Sequence, residues 1–202
     1  IYSDASNIND AIEIAKNVDQ LIIIVGYTYK DEGEFIDAPG YKMGGDRINL
    51  KLKENDEKLI QKLSDYNKNL VVVYVGGSAI DMNNWERKVP SILFSWYSGM
   101  EGGKALAKIL YGDVNPSGKL PFSIPKNISD YPYFNPFTDT ITYGYYHGYT
   151  LFEKLGKTIS YPFGFGLSYS KFNYKNLIIS ELNTKDSTYQ ISFDIENISN
   201  YN

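Results

Sequence analysis

Residues 21–50 read LIIIVGYTYKDEGEFIDAPGYKMGGDRINL, and the fold turns on how this stretch is divided. Leu21 to Val25 form an unbroken apolar run of the kind that becomes a buried strand. The two dozen residues that follow show no regular period. They carry five carboxylates (Asp31, Glu32, Glu34, Asp37 and Asp46), five glycines and the aromatics Tyr27, Tyr29, Phe35 and Tyr41. Connections that long inside a compact domain are uncommon and usually functional or disordered. The aromatics argue for order, because disordered segments are poor in them. The stretch therefore reads as a strand followed by an ordered acidic loop at its carboxyl end, where open α/β sheets bind ligands. Acidic loops are also often no more than solvated surface, and spacing alone leaves both readings open.

Working outward, Asn7 or Asn9 can cap a helix whose apolar stripe is Ala11, Ile14, Ala15 and Val18. After the loop, Asn55 can cap a second helix over 56–66, with an acidic first turn and Leu59, Ile60 and Leu63 inward. Two further apolar runs follow, Leu70 to Val75 and Ser91 to Ser95. Apolar runs alternating with amphipathic helices predict an α/β fold, a mostly parallel sheet sandwiched by helices. A third helix is expected over 101–111 with Ala105, Leu106, Ile109 and Leu110 inward, and with Gly102 and Gly103 marking close backbone approach. Residues 112–118 are dense turn chemistry, and 120–125 read as a short extended piece with edge-strand prolines.

From Lys126 to Gly166 the chain is rich in proline and aromatics, and no helix is expected. From Lys171 the pattern alternates: Phe172, Tyr174, Leu177 and Ile179 on one strand, then Tyr189, Ile191, Phe193, Ile195 and Ile198 on another. Two strands do not make an independently stable sheet. They read as the first strands of an all-β sandwich, in a chain cut from a longer one. The expected division is an α/β domain over 1–125, an irregular aromatic segment completing it over 126–169, and a truncated β domain over 170–202.

Composition narrows the function classes. The net charge of −4 offers no basic field for nucleic acid, and there is no cysteine for thiol catalysis, disulfides or thiolate metal sites. No apolar run approaches the roughly 20 residues that span a bilayer, so neither a membrane nor a nucleic acid is expected as a partner. Neither a cytoplasmic nor a secreted location is excluded. The single histidine, His147, cannot build a histidine-rich metal centre, and among tyrosines it reads better as a hydrogen-bonded structural group. No metal and no cofactor is expected. Val25-Gly26 and Val75-Gly76-Gly77-Ser78 lack the spacing of a dinucleotide or P-loop turn, so a flavodoxin-like nucleotide binder is only a weak alternative. Paired carboxylates on a loop flanked by aromatics fit glycosidic bond cleavage, which typically needs two carboxyl groups. Asp46-Arg47 fits a ligand clamp or a structural ion pair.

Beyond these local readings, the ordered series of motifs resembles the C-terminal half of glycoside hydrolase family 3 enzymes of the β-glucosidase type. It begins with Asp31-Glu32-Gly33-Glu34 leading to Gly45-Asp46-Arg47, then Gly77-Ser78, Trp85 and the run from Trp96 to Gly103. It continues with the run from Gly112 to Pro121, then Tyr143 to Tyr149, and ends with Pro162 to Tyr169. The resemblance implies an α/β sandwich followed by the opening strands of a fibronectin type III-like domain. It implies a retaining exo-β-glycosidase acting on a β-glucoside or oligosaccharide. Glu34 would be the acid/base, with Glu32 the second choice, and Tyr29, Phe35, Arg47 and Trp96 would contact substrate. A (β/α)8 barrel elsewhere in the parent protein would carry the nucleophilic Asp, and this chain alone would then be inactive. The alternative is a non-catalytic carbohydrate-binding or scaffolding module.

Overall fold

A computed structural model describes residues 6–28, 31–38, 41–45, 47, 49–134, 138, 140–183 and 187–201, with backbone alone for 33–38, 41–45 and 183. The chain divides into two compact units. One comprises Ile1–Gly102 with Pro121–Phe163, the other Gly103–Leu120 with Gly164–Asn202.

The first unit is built on three parallel strands, β1 (Leu21–Gly26), β4 (Leu70–Val75) and β5 (Ser91–Phe94), in the order β1-β4-β5. The register pairs Leu21 with Leu70 and Val71 with Ser91. Along β1 the chain alternates: Leu21, Ile23 and Val25 are buried, whereas Ile22 and Ile24 are exposed. Helices α1 (Ile8–Lys16) and α2 (Glu54–Tyr66) pack on each other, and α2 also touches β1. Ala11, Ile12 and Ala15 of α1, Ile60 and Leu63 of α2, and Leu70, Val72 and Val73 of β4 are buried. Each such branched side chain contributes about 1.5–3 kcal/mol on burial.

Asn7 caps α1, its side chain accepting from the Asn9 N–H at 3.1 Å. The second helix departs from expectation. It begins one residue before Asn55, Lys53 stands at its N-cap, and no side chain bonds there. Glu54, Asp56 and Glu57 favour that end through the helix dipole instead. At its other end the buried Asn67 donates to the carbonyls of Ala15 (3.0 Å) and Val18 (2.9 Å) and accepts from the Asn69 N–H at 2.8 Å. One side chain thereby satisfies carbonyls at the end of α1 and turns the chain into β4.

The acidic loop is not irregular. Gly33–Ala38 (β2) and Tyr41–Gly45 (β3) form an antiparallel hairpin. Gly33 pairs with Gly45 and Ile36 with Met43, so β2 carries one extra residue, a bulge at Glu34 and Phe35 opposite Gly44. A two-strand ladder, β6 (Ile124–Pro125) with β7 (Ile159–Tyr161), closes the unit. Between them, where no helix was expected, lies the six-residue α4 (Tyr149–Lys154), entered through Gly148 at φ +55°.

In the second unit, α3 (Gly102–Leu110) has no buried residue; Ala105 is exposed and Leu106, Ile109 and Leu110 are half-buried, contrary to the inward face expected of them. A Cβ on Gly102 would meet the Ser98 side chain at 2.6 Å, whereas one on Gly103 would meet nothing within 4 Å. Close approach therefore explains only the first glycine. Two motif segments run side by side here: the Leu120 N–H donates to Phe165 O and the Gly164 N–H to Leu120 O, both at 2.8 Å. Asn115 ties the same region together, donating to Ser170 Oγ at 2.6 Å and accepting from Ser168 Oγ and the Tyr169 N–H. The unit ends in a long hairpin, β8 (Phe172–Asn183) with β9 (Thr188–Asn197). One extra residue between Lys175 and Ile178, where Asn176 has φ +54°, moves the apolar series from Phe172 and Tyr174 to Leu177 and Ile179. The break in alternation visible in the sequence is thus a bulge.

Candidate active site

Three strand ends converge on one group of side chains. Glu32 follows β1, Gly77 follows β4, and Tyr97 follows β5, all at the carboxyl edge of the parallel sheet. Glu32 Oε1 lies 2.6 Å from Arg47 Nε. Its Oε2 accepts from the Tyr97 hydroxyl and from the Gly77 N–H at 3.3 Å. Arg47 Nη2 donates to Ser78 Oγ and to the Ala79 carbonyl at 3.4 Å, and the guanidinium lies 4.4 Å from the centre of the Tyr27 ring. Glu32 and Arg47 side chains are only 18% and 11% exposed, so water screens this pair far less than a surface pair. Burial, reinforced by the hydrogen bond to Glu32, pushes the Tyr97 phenol up to about 12. Tyr97 is therefore a proton donor to Glu32 across the physiological range.

Glycines make this approach possible. A Cβ on Gly77 would lie 3.2 Å from the Tyr97 ring and 3.5 Å from Glu32 Oε2. At Gly26, with φ +137°, a Cβ would fall 1.9 Å from Val75 O. The Gly26 N–H donates to Asp56 Oδ2 at 3.3 Å, and burial pushes the Asp56 carboxyl up. Nearby, Asp31 accepts from Lys53 Nζ at 2.7 Å and from the N–H and hydroxyl of Thr28. The Lys53 hydrogen bond holds the Asp31 carboxyl below its ordinary range.

Of the residues picked from the sequence, Glu32 and Arg47 are brought into contact. Glu34 and Phe35 form the bulge of β2, and Tyr29 lies outside the described residues. Trp96, at φ +55°, stands between Phe94 and Phe122 with ring centres 6.0 and 5.7 Å away. This half-exposed ring is a link in an aromatic series that runs from Tyr27 through Tyr74 and Phe94 to Phe122. Tyr97 and Ser78 belong to the motif series, Tyr97 reading equally as pocket wall or packing, but neither is among the site residues expected from the sequence. They lie 65 and 31 positions from the partners they bind, and no local pattern signals such pairings. Among the described residues no group of three or more His, Asp or Glu side chains is placed to hold a metal. No helix among them is long and apolar enough to cross a membrane.

A concavity of about 720 Å³ in the first unit, apart from this group, is lined by Phe122, Tyr131, Tyr146, His147, Tyr149 and Phe163 among others. Tyr149 and Phe163 stack at 5.3 Å and 25°. The His147 ring is held by the Gly144 carbonyl at 3.3 Å.

Comparison with known proteins assigns this arrangement to a family. Residues 3–169 match the glycosyl hydrolase family 3 C-terminal domain. The beta-glucosidase BoGH3A of Bacteroides ovatus is 40% identical over 200 residues, covering 94% of this chain and 26% of that protein. An exo-alpha-(1->6)-L-arabinopyranosidase of Bifidobacterium longum is 34% identical, covering 89% of this chain and 23% of the relative. The crystal structure of a family 3 beta-glucosidase from Bifidobacterium adolescentis superposes with a TM-score of 0.79 at 30% identity, covering 98% of this chain and 29% of its own. The α/β architecture, with its parallel sheet and added antiparallel sheets, is thus that of these enzymes. The chain spans about a quarter of the length of the curated relatives it matches. By the extent of the family match, the chain belongs to glycosyl hydrolase family 3, through that family's C-terminal domain.

Proposed function

We propose that this chain supplies the acid/base carboxylate of a retaining exo-β-glycosidase, and that Glu34 is that carboxylate. In this reading Glu34 protonates the departing glycosidic oxygen and then, ionised, takes a proton from the water that releases the sugar. The nucleophilic Asp belongs to a (β/α)8 barrel beyond this chain. The substrate is a β-glucoside or a related oligosaccharide, and no metal or cofactor takes part. Residues 1–125, 126–169 and 170–202 act as the α/β domain, its completing segment and the opening of a β domain.

The observation that carries the choice of Glu34 is the hydrogen-bonding of its neighbour. Both oxygens of Glu32 are already engaged, by Arg47, Tyr97 and Gly77. A carboxyl tied on both oxygens is poorly placed to turn toward a leaving group. Glu34 stands at a bulge, a feature over-represented beside active sites, where it re-aims a side chain. Relatives that include a β-glucosidase and an arabinopyranosidase favour a shared cleavage step, with the choice of sugar made outside this segment.

The test is Glu34→Gln in the full-length protein. Turnover of an alkyl glucoside, whose leaving group needs a proton, should fall about 10³-fold, within the usual range for general acid catalysis. A dinitrophenyl glucoside should still be cleaved to the glycosyl-enzyme, and azide should restore its turnover as glucosyl azide. An unchanged alkyl glucosidase rate sinks the assignment. The concavity walled by Tyr146, Tyr149 and Phe163 favours one other reading, a non-catalytic sugar-binding module. That reading requires oligosaccharide binding that Tyr149→Ala removes, with no effect of Glu34→Gln.

A further inference from the structure

We infer that Glu32, Arg47 and Tyr97 form a clasp that positions the β2–β3 hairpin, and with it residue 34. The inference rests on the reading of Glu34 as acid/base. Glu32 immediately precedes the hairpin and Arg47 stands two residues after it. Their ion pair, at 2.6 Å, therefore joins the two stems and closes the loop at its base. Without such a closure the ends of a loop this long retain freedom that must be given up each time the site forms.

The clasp also refers the hairpin to the sheet. Glu32 Oε2 takes the Gly77 N–H from the end of β4 and the Tyr97 hydroxyl from the end of β5. Arg47 reaches Ser78 and Ala79 beyond β4 and covers the face of Tyr27 beyond β1. Tyr27 is itself fixed, its hydroxyl donating to the Lys51 carbonyl. Three parallel strands thus set the coordinates of one hairpin. A two-strand ribbon is marginal alone, and an acid displaced by 1 Å costs about 10²-fold in rate. The clasp is a positioning device: Arg47, expected from the sequence to contact substrate, is instead engaged with Glu32, Ser78 and Ala79.

The full-length protein tests this through Glu32→Gln, Tyr97→Phe and Arg47→Lys, measured beside Glu34→Gln. Tyr97→Phe removes one hydroxyl and keeps the ring, so it isolates the clasp from folding. For an alkyl glucoside, Glu32→Gln and Tyr97→Phe should each lower kcat about 10- to 100-fold with KM nearly unchanged. Arg47→Lys keeps the charge and loses the fork, and should fall between these variants and wild type. In all three the basic limb of the pH profile should persist, since the proton donor is still present. Cleavage of the dinitrophenyl glucoside should be little affected. Wild-type kcat on the alkyl glucoside in Glu32→Gln and Tyr97→Phe, beside an inactive Glu34→Gln, overturns the clasp and leaves the acid/base reading standing. Equal losses on both substrates, in step with a lowered melting temperature, also overturn it. Loss of the basic limb with azide rescue in Glu32→Gln makes Glu32 the proton donor and overturns both readings.

Discussion

The hairpin Gly33–Gly45 and the hairpin Phe172–Asn197 are both antiparallel ribbons bulged in the first strand, by one extra residue in the former and two in the latter. Each is accompanied by a carboxylate–cation pair, Glu32 with Arg47 in one and Lys175 with Glu196 in the other. The surroundings separate them. The first pair is less than one-fifth exposed and bonded to groups from three strand ends; the second is about half exposed. The second hairpin relies on its own ladder and on cross-strand contacts such as Tyr174 with Phe193, ring centres 5.9 Å apart. Phe172, Tyr174, Ile179, Ile191 and Ile195 remain exposed along it. The same local motif is thus fixed by tertiary hydrogen bonds in one unit and by neighbouring side chains in the other.

Backbone substitutions should break this comparison most strongly. Gly26→Ala sets a Cβ against Val75 O at the last residue of β1, where the chain leaves the sheet toward the first hairpin. Strain plus overlap should cost roughly 3 kcal/mol or more in urea denaturation. Asn176→Gly, relieving φ +54° in the second hairpin, should change stability by less than about 1 kcal/mol. Comparable losses at the two sites contradict the picture of one constrained and one tolerant ribbon.

The ion pairs come next. Arg47→Ala strands the Glu32 carboxylate and should cost about 2–3 kcal/mol, near the range for hydrogen bonds to charged groups. Lys175→Ala should cost less than about 0.5 kcal/mol. A ratio near one by chemical denaturation removes burial as the deciding factor.

The smallest effect concerns pH. Burial raises the Asp56 carboxyl above its unfolded value, against the pull of the Gly26 N–H and Lys53. The folded chain therefore holds that proton more tightly. Stability from this group is present below the unfolded pKa and is lost as pH rises through the folded one. Relative to wild type, Asp56→Asn should gain stability between pH 3 and pH 7 in urea melts. A gain in the opposite direction excludes desolvation as the dominant influence on Asp56.

How much of this could be read in advance follows from where each signal is written. The strands β1, β4 and β5 show as apolar runs of the kind a parallel sheet favours, although only β4 is buried along most of its length and Ile22 and Ile24 of β1 are exposed. The β2–β3 ribbon escaped because glycines, charges and a bulge erase the two-residue period by which strands are recognised. The helix α4 escaped for a related reason: six residues behind a glycine are too few to establish a 3.6-residue period. The Asp46-Arg47 motif was visible, and a structural ion pair was one reading of it. Its partner was not, since Glu32 is 15 positions away and identified only by the fold. Tyr97 completes the group from a third strand, a proximity that sequence order conceals.

The Asn115 knot has a chemical consequence of another kind. Asparagine side chains age by deamidation, in which the backbone nitrogen of the next residue attacks the side-chain amide to give a succinimide. The residue after Asn115 is Pro116, whose ring nitrogen carries no hydrogen to lose. The amide that holds Ser168, Tyr169 and Ser170 is therefore shielded from this route to damage. A joint made from a normally perishable side chain is placed where that route is closed.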